Sequence, residues 1–280
     1  MNATYQSDGA VLSLRETGAG LPVVFLHPTP LDGGYWQPLV HNLTGVHAFV
    51  PDLRGHGRSE LGSLPVGAFA AVPDAPALTM RQIASDILTL LDHLKVPKAV
   101  FAGCSIGGYV LLELWRQAPE RMRGLAFICS KPQPDAPANI VRRTATIDKV
   151  RTAGGAEAVR EIMQAQIKSL TGNTAQTVNP AIVTELCSQA TLTPEAMIAV
   201  QAGLGARPDS LPTVATITVP VLAIAGGEDS GITRADMEVF RSVPGGCGFH
   251  LIPDAGHFAA YEQPEKVAAL ISAWVRQFED

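Results

Sequence analysis

The segment 98–117 constrains the fold of this chain most strongly, because its parts occur in a telling order. An apolar run, Lys98–Ala102, precedes the hexapeptide Gly-Cys-Ser-Ile-Gly-Gly at 103–108, and a helix-like stretch follows at Tyr109–Gln117. A strand, a glycine-x-serine-x-glycine turn and a helix in this order present a serine hydroxyl on a sharp turn above a parallel sheet. The sequence therefore predicts such a sheet with Ser105 at its edge.

Ser105, rather than the neighbouring Cys104, is the predicted nucleophile of this turn. The nucleophile in such a turn has a strained backbone, so the residues two before and two after it must be nearly without side chains. Gly103 and Gly107 occupy those positions around Ser105, whereas alanine and isoleucine occupy them around Cys104. The alternative is a glycine-rich turn whose serine has no function.

Length and composition bound the class of protein. The 280 residues can form one large α/β domain or two small ones with a substantial core. Charged residues make up 17% of the chain, the net charge is −5, and no run of Lys or Arg occurs. This composition argues against nucleic-acid binding and against a polybasic attachment to lipid.

The sequence also favours a cytoplasmic protein without membrane insertion. Residues 1–8 lack the layout of a secretion signal, and no apolar stretch approaches the roughly 20 residues that span a bilayer. The four cysteines are scattered and lack zinc-site spacing, which favours reduced thiols and predicts no metal site.

Apolar runs and helix-like stretches alternate along the chain. Asp8-Gly9 is a hairpin signal, and the predicted strands are Ala10–Arg15, Pro22–Leu26, Val46–Val50, Lys98–Ala102, Gly124–Ile128, Val219–Ala225 and Gly248–Ile252. Helices are predicted after the capping residue Thr79, after Ser105 and over Pro264–Phe278. Continuous apolar strands alternating with helices predict an α/β fold with a mostly parallel, doubly wound sheet.

Two segments interrupt this alternation. Leu61–Ala77 is rich in Pro, Ala and Gly and predicts a long loop. Residues 130–218 lack strand signals and contain helical patterns at Glu157–Leu170, Ala181–Ala190 and Pro194–Leu204. We therefore predict a core of residues 1–130 and 219–280, with a helical cap inserted at 131–218.

A serine nucleophile needs a base and an orienting carboxylate. His257 follows the last predicted strand and would lie at the same sheet edge as Ser105, whereas His250 lies inside that strand. Asp229 follows the strand Val219–Ala225 and is the predicted acid; its other interpretation is a helix N-cap. Asp135 remains the alternative acid, because some triads take their carboxylate from that part of the chain.

Stabilising a tetrahedral intermediate requires two backbone donors. One is predicted to be the N–H of Ile106. The other should come from residues 27–30, His-Pro-Thr-Pro, where proline has no N–H, so Thr29 is the remaining candidate. His27 is expected to hold this loop by hydrogen bonding, with a plain buried histidine as the alternative.

Two further charged motifs have two interpretations each. Residues 52–59 lack the Gly-Lys-Ser/Thr ending of a phosphate-binding loop, so we predict a structural turn in which Asp52 pairs with Arg54. Arg142 and Arg143 could receive an acidic substrate, although adjacent arginines on a helix more often form a solvated face.

Together, the 27–30 loop, the 52–59 segment, the Ser105 turn, Gly226–Asp229 and the Gly256-His257 segment followed by Glu262-Gln263-Pro264 resemble the α/β-hydrolase superfamily, from about Asp8 to the C-terminus. The resemblance is greatest to bacterial esterases and enol-lactonases with a small helical cap. One departure is Pro28, where family members usually have glycine. The serine argues against dehalogenases and epoxide hydrolases of this fold, which use aspartate.

The expected function is hydrolysis of a small-molecule carboxylic ester or lactone through Ser105, His257 and Asp229, without metal or organic cofactor. The same triad could serve C–C bond hydrolysis, hydroxynitrile cleavage or perhydrolysis, and a ligand receptor on the same fold is an alternative of another class. The sequence leaves the oligomeric state open, a homodimer included.

Overall fold

The computed structural model describes residues 2–152 and 155–278, which contain one eight-stranded sheet. The strands are β1 Asn2–Ser7, β2 Ala10–Gly18, β3 Leu21–Leu26, β4 Val46–Pro51, β5 Ala99–Cys104, β6 Met122–Ile128, β7 Val221–Gly226 and β8 Cys247–Ile252. Their order across the sheet is β1-β2-β4-β3-β5-β6-β7-β8. β1 and β2 are antiparallel to their neighbours, and the pairs from β4 to β8 are parallel. The predicted mostly parallel sheet is therefore confirmed.

The helices lie between and after these strands. They are α1 Gln37–Val40, α2 Met80–His93, α3 Ile106–Gln117, α4 Pro137–Thr152, α5 Ala156–Leu170, α6 Asn173–Val178, α7 Ile182–Cys187, α8 Pro194–Gly205, α9 Leu211–Val214, α10 Arg234–Glu238, α11 Ala259–Glu262 and α12 Pro264–Val275.

Two helical layers cover the two faces of the sheet. α2 and α3 pack in the hydrophobic cluster that takes Val24, Phe101 and Phe127 from the strands. α1 and α12 pack in a second cluster on the other face, which takes the alternate strand residues, such as Phe25 and Ala102. Because successive side chains of a strand point to opposite faces, central strands covered on both faces are apolar at every position.

The antiparallel edge strand β1 is absent from the sequence-based prediction. Its sequence, Asn-Ala-Thr-Tyr-Gln-Ser, is mostly polar, and only Tyr5 and Ser7 in it are buried. β1 forms by pairing with β2, from Asn2 opposite Arg15 to Ser7 opposite Ala10. The predicted Asp8-Gly9 turn joins the two strands, so the hairpin is confirmed. Its first strand, β1, is an addition to the strands predicted from the sequence.

The segment 131–218, which we call the cap segment, contains α4 to α9. Helix α4 is missing from the sequence-based prediction because only Ile147 and Val150 are buried in it, too few for a clear apolar stripe. The bounds of the cap as a separate domain stay a prediction. Residues 61–77 contain neither helix nor strand, as predicted, and the chain then meets α8, where the Leu78 amide donates to the Ala199 carbonyl at 2.9 Å.

The predicted pairing of Asp52 with Arg54 is wrong. The buried Arg54 guanidinium binds Asp86 of α2, with Nε–Oδ2 and Nη2–Oδ1 distances of 2.8 and 2.6 Å. Asp52 instead binds the Arg15 guanidinium and accepts the Gly33 amide at 2.9 Å. Arg54 and Asp52 have different partners because Asp86 belongs to α2, on one face of the sheet, whereas Gly33 lies just before α1, on the other face.

Within residues 2–152 and 155–278, no helix is both long and apolar enough to cross a lipid bilayer.

Candidate active site

Ser105 forms the junction between β5 and α3 and has an unusual backbone. Its φ and ψ are 51° and −116°, a conformation that side-chain-bearing residues rarely adopt. Two contacts with β6 and the residues after it hold the turn: the Ser105 amide donates to the Ile128 carbonyl at 3.1 Å, and the Ser130 hydroxyl donates to the Ser105 carbonyl at 2.9 Å.

The glycines around Ser105 are required by close backbone approach. A Cβ atom on Gly103 would lie 2.4 Å from the carbonyl carbon of Gly107, and one on Gly107 would lie 2.2 Å from the carbonyl oxygen of Leu26. Both distances are too short for non-bonded carbon atoms, so the turn admits no side chain at either position.

Cys104 lies beside this turn but faces the interior. Its sulfur accepts a hydrogen bond from the Tyr35 hydroxyl at 3.3 Å, and its thiol donates to the His257 carbonyl at 3.6 Å. Burial raises the pKa of the Cys104 thiol well above its usual range. A buried, protonated thiol is a poor nucleophile.

His257 and Asp229 form a buried pair at the carboxyl edge of the sheet. The Nδ1–H of His257 donates to Oδ2 of Asp229 at 2.8 Å. The other carboxylate oxygen of Asp229 accepts the amides of Gly231 and Ile232 at 2.8 and 3.0 Å, while the N-cap of α10 is Thr233. Because Nδ1 carries the proton in this arrangement, Nε2 keeps a lone pair that can accept one.

The charges around His257 favour its protonated form. Burial lowers the pKa of His257, but attraction to Asp229, the hydrogen bond with Asp229 and attraction to Glu262 outweigh burial, and the net pKa is raised above its usual value of 6.5. An imidazole with a raised pKa is a stronger base, and it is tuned by the two carboxylates beside it.

Glu262, at the end of α11, holds the backbone on both sides of His257. Its carboxylate accepts the amides of Gly256 at 2.7 Å and Phe258 at 3.0 Å. It also accepts the amide of Gly172 at 3.0 Å, in the link between α5 and α6 of the cap segment. The His257 amide completes this contact by donating to the Leu170 carbonyl at 2.9 Å.

Ser105 and His257 line one cavity of about 390 Å³ between the sheet edge and the cap segment. Among the hydrogen bonds of the described residues, none joins the Ser105 hydroxyl to the His257 imidazole. Contacts between a catalytic hydroxyl and its base are often long in ligand-free proteins and tighten when substrate binds. His257 and Asp229 are thus joined by a direct hydrogen bond, and Ser105 lines the same cavity as His257.

Thr29 lines the same cavity and is hydrogen-bonded to the neutral His56. The Thr29 hydroxyl donates to Nε2 of His56 at 3.0 Å, and Nδ1 of His56 donates to the Arg54 carbonyl at 3.0 Å. His27 holds the loop as predicted, because its Nε2 accepts the Leu53 amide at 2.9 Å. Burial, as the main cause, lowers the pKa of His27 to about 4 and that of His56 to about 3.

Within the described part of the chain, the backbone N–H groups of Thr29 and Ile106 have no hydrogen-bond acceptor. For Ile106 this follows from its place as the first residue of α3, since the first amides of a helix have no partner inside it. Stabilising an oxyanion requires two unpaired donors, and the amides of Thr29 and Ile106 meet that requirement.

The His257–Asp229 pair does not include Asp135, Glu228 or His250. Asp135 binds Arg143 and, at 3.0 Å, Arg207. Glu228 accepts the amide of Thr174 at 2.9 Å, and His250 is exposed on β8.

Sequence reasoning assigned no role to Glu262 or His56. The signal for Glu262 was its place five residues after His257, at the end of a short helix that turns back toward it. No local signal pointed to the contact between His56 and Thr29, which are 27 residues apart.

As for metal binding, no cluster of three or more His, Cys, Asp or Glu side chains suited to hold a metal ion occurs in the ranges 2–152 and 155–278.

Comparison with known proteins finds similar chains among enol-lactonases and esterases. The chain is 26% identical to 3-oxoadipate enol-lactonase 1 of Acinetobacter baylyi over 97% of its own length and 95% of that protein. A thermophilic esterase from Thermogutta terrifontis, solved with malate bound, superposes with a TM-score of 0.86 at 29% identity, and both chains are covered completely. The enol-lactonase from Burkholderia xenovorans LB400 shares the fold, with a TM-score of 0.84 at 22% identity over 98% of this chain and all of that one.

The chain also matches a protein family over most of its length. Residues 23–270, which include every residue described above for the cavity, match the family described as "Alpha/beta hydrolase family". This chain therefore belongs to the alpha/beta hydrolase family.

Proposed function

We propose that this protein hydrolyses carboxylic esters or lactones of small molecules, with Ser105 as nucleophile, His257 as base and Asp229 as the carboxylate that orients it. The observation that carries the proposal is the buried 2.8 Å bond between His257 and Asp229 beside a cavity that Ser105 also lines. The similarity to an enol-lactonase and to an esterase over nearly the whole chain supports the same substrate class.

In the first step, Oγ of Ser105 attacks the carbonyl carbon while Nε2 of His257 takes its proton. The carbonyl oxygen becomes an anion, which the amides of Ile106 and Thr29 stabilise. As the tetrahedral intermediate collapses, the bond from the acyl carbon to the alcohol oxygen breaks, and His257 gives its proton to that oxygen.

In the second step, water attacks the acyl-serine ester, and His257 takes a proton from it. Collapse of the second intermediate releases the carboxylic acid and returns the proton to Ser105. Asp229 keeps the Nδ1–H of His257 directed at itself and stabilises the imidazolium in both steps.

The test is turnover of a panel of aryl esters, lactones and β-diketones by the protein and by its Ser105→Ala variant. We expect ester or lactone turnover that falls by at least 1,000-fold in the variant, and rapid labelling of Ser105 by a fluorophosphonate. Turnover of diketones alone would instead support C–C bond hydrolysis. An unreactive serine beside a tightly held ligand would favour a receptor, and equal activity in Ser105→Ala would refute the nucleophile.

A further inference from the structure

The cavity beside Ser105 and His257 is lined by more positive than negative side chains. Lys131, Arg142 and Arg143 contribute cations to its lining, and among the described lining residues Asp135 is the one carboxylate. This excess is local, because the chain as a whole has a net charge of −5. A cleft with one sign of charge concentrates ligands of the opposite sign.

The single carboxylate is already neutralised from within the protein. Asp135 has a side chain only 3% exposed and binds both Arg143 and Arg207. Burial raises the pKa of Asp135, but the hydrogen bond and attraction from Arg143, with the contribution of Arg207, hold the net pKa below its usual value, so the carboxyl stays ionised. One carboxylate between two guanidinium groups leaves this cluster positive.

Lys131 and Arg142 have no negative partner in the ranges that the structure describes, and Arg143 shares Asp135 with Arg207. Lys131 is half-buried and forms no ion pair there. Arg142 donates to the amide oxygen of Asn139 at 3.1 Å, which brings no charge. Arg143 uses Nε for Asp135 and Nη1 for Gln201, at 2.9 Å for the second bond.

The position of Arg143 answers the question that the sequence left open. The side chain of Arg143 is only 14% exposed, so it is not part of a solvated face, whereas Arg142 beside it is exposed at the rim of the cavity. Holding a guanidinium out of water costs free energy unless negative groups compensate it. The ion pair with Asp135 compensates one positive charge, and an anionic ligand would compensate the remaining positive charges of the cavity.

We propose that the cavity recognises esters or lactones that carry a free carboxylate, bound by Lys131, Arg142 and Arg143. This inference rests on the proposed function and adds the charge of the substrate to it. The planar guanidinium of Arg143 matches a carboxylate in shape and charge. Half-esters of dicarboxylic acids are the simplest substrates of this class.

The test compares two esters of matched length, 4-nitrophenyl butyrate and mono-4-nitrophenyl succinate, which differ by the carboxylate. We expect a higher kcat/KM for the anionic ester than for the neutral ester. The ratio of the two values should fall about tenfold in the double variant Lys131→Met/Arg142→Met. Raising the salt concentration should lower the same ratio, because salt screens charges near the surface.

Lys149→Met is the matched control, since Lys149 is exposed on α4 with Arg142 but lies outside the cavity lining. It should leave the ratio unchanged. An unchanged ratio in the double variant would overturn the carboxylate site while leaving ester hydrolysis intact.

A binding measurement tests the carboxylate site without relying on catalysis. Calorimetry with the Ser105→Ala protein should show monomethyl succinate binding about tenfold tighter than methyl butyrate, and the difference should disappear when Lys131 and Arg142 are also replaced. Equal binding of the two probes would refute the inference, whether or not the nitrophenyl esters are hydrolysed. Absence of turnover for every ester and lactone of the panel would separately refute the proposed function.

Discussion

At the scale of single residues, the buried carboxylates of Asp229 and Asp135 have different partners, and the proposed mechanism gives them different roles. Asp229 gives one oxygen to the His257 imidazole and the other to two backbone amides, so it is fixed and directed at the base. Asp135 gives both oxygens to arginines. Both were candidates from the sequence, because each follows a strand that ends at the same edge of the sheet.

The pair Asp229→Asn and Asp135→Asn tests this separation. In Asp229→Asn, the side chain can present an N–H to the imidazole and favour the wrong tautomer, so we expect kcat to fall by about 1,000- to 10,000-fold with little loss of stability. Asp135→Asn leaves two buried guanidinium groups without a countercharge, so we expect a loss of roughly 3 kcal/mol in the free energy of unfolding and a smaller loss of kcat.

Steady-state kinetics and chemical denaturation of both variants provide the measurement. A larger loss of kcat in Asp135→Asn than in Asp229→Asn would make Asp135 the orienting acid and contradict our assignment.

At the scale of elements, Glu262 joins α11 and the adjacent His257 loop to the cap segment, which is distant in sequence. It belongs to α11, its amide partners flank His257, and its third partner, Gly172, lies between α5 and α6. Gly172 and Gly256 pack backbone to backbone, since a Cβ on Gly256 would lie 2.3 Å from the Gly172 amide nitrogen. The loop that carries His257 is therefore positioned against the cap segment as well as against the sheet.

Replacing Glu262→Gln keeps the size of this side chain and removes its charge. We expect kcat to fall roughly 10- to 100-fold, because a small displacement of the base is costly. Attraction to Glu262 also raises the pKa of His257. Activity requires unprotonated His257, so the acid limb of the kcat/KM profile should move to lower pH in this variant.

Glu265→Gln, an exposed change at the start of α12, is the matched control and should keep the wild-type profile. If Glu262→Gln lowered the rate without moving the acid limb, Glu262 would have a structural role only.

At the scale of the whole molecule, the buried histidines make the fold sensitive to acid. His27 and His56 have folded-state pKa values of about 4 and about 3, below the unfolded value of 6.5. Between these values the unfolded chain binds protons that the folded chain does not, so stability is present above pH 6.5 and is lost as the pH falls. Protonation of His56 would also remove the acceptor of the Thr29 hydroxyl.

We expect the free energy of unfolding to fall by roughly 2 to 3 kcal/mol for each of these two histidines between pH 7 and pH 4.5. His257 has the opposite sign: its raised pKa adds stability that is fully present below pH 6.5 and is lost as the pH rises, so it partly opposes this trend at the neutral end of the range. Asp52 and Asp135, whose pKa values are lowered, add to acid sensitivity only as the pH falls further.

Urea denaturation across this pH range checks the expectation. His56→Gln should be less stable at pH 7 but should show about half the wild-type pH dependence, whereas His250→Gln, at an exposed site, should keep the wild-type slope. An equal slope in His56→Gln and the wild type would contradict the assignment.

Local sequence patterns were enough to establish the α/β class, the main strands and the backbone of the Ser105 turn. These features depend on local physics: apolar runs form strands covered on both faces, and a turn as tight as that at Ser105 excludes side chains at Gly103 and Gly107. The order of Ser105, Asp229 and His257 along the chain was also enough to expect all three at one edge, since parallel strands end together.

The pairing of charged groups, in contrast, depends on how the chain packs in three dimensions. Arg54 binds Asp86, 32 residues away, rather than Asp52, and Glu262 binds the Gly172 amide, 90 residues away. Helix α4 and strand β1 also depend on their neighbours, because neither has a strong apolar pattern of its own. The packing of the helical layers on the sheet determines which charged side chains come within reach of each other. Local sequence does not encode that packing.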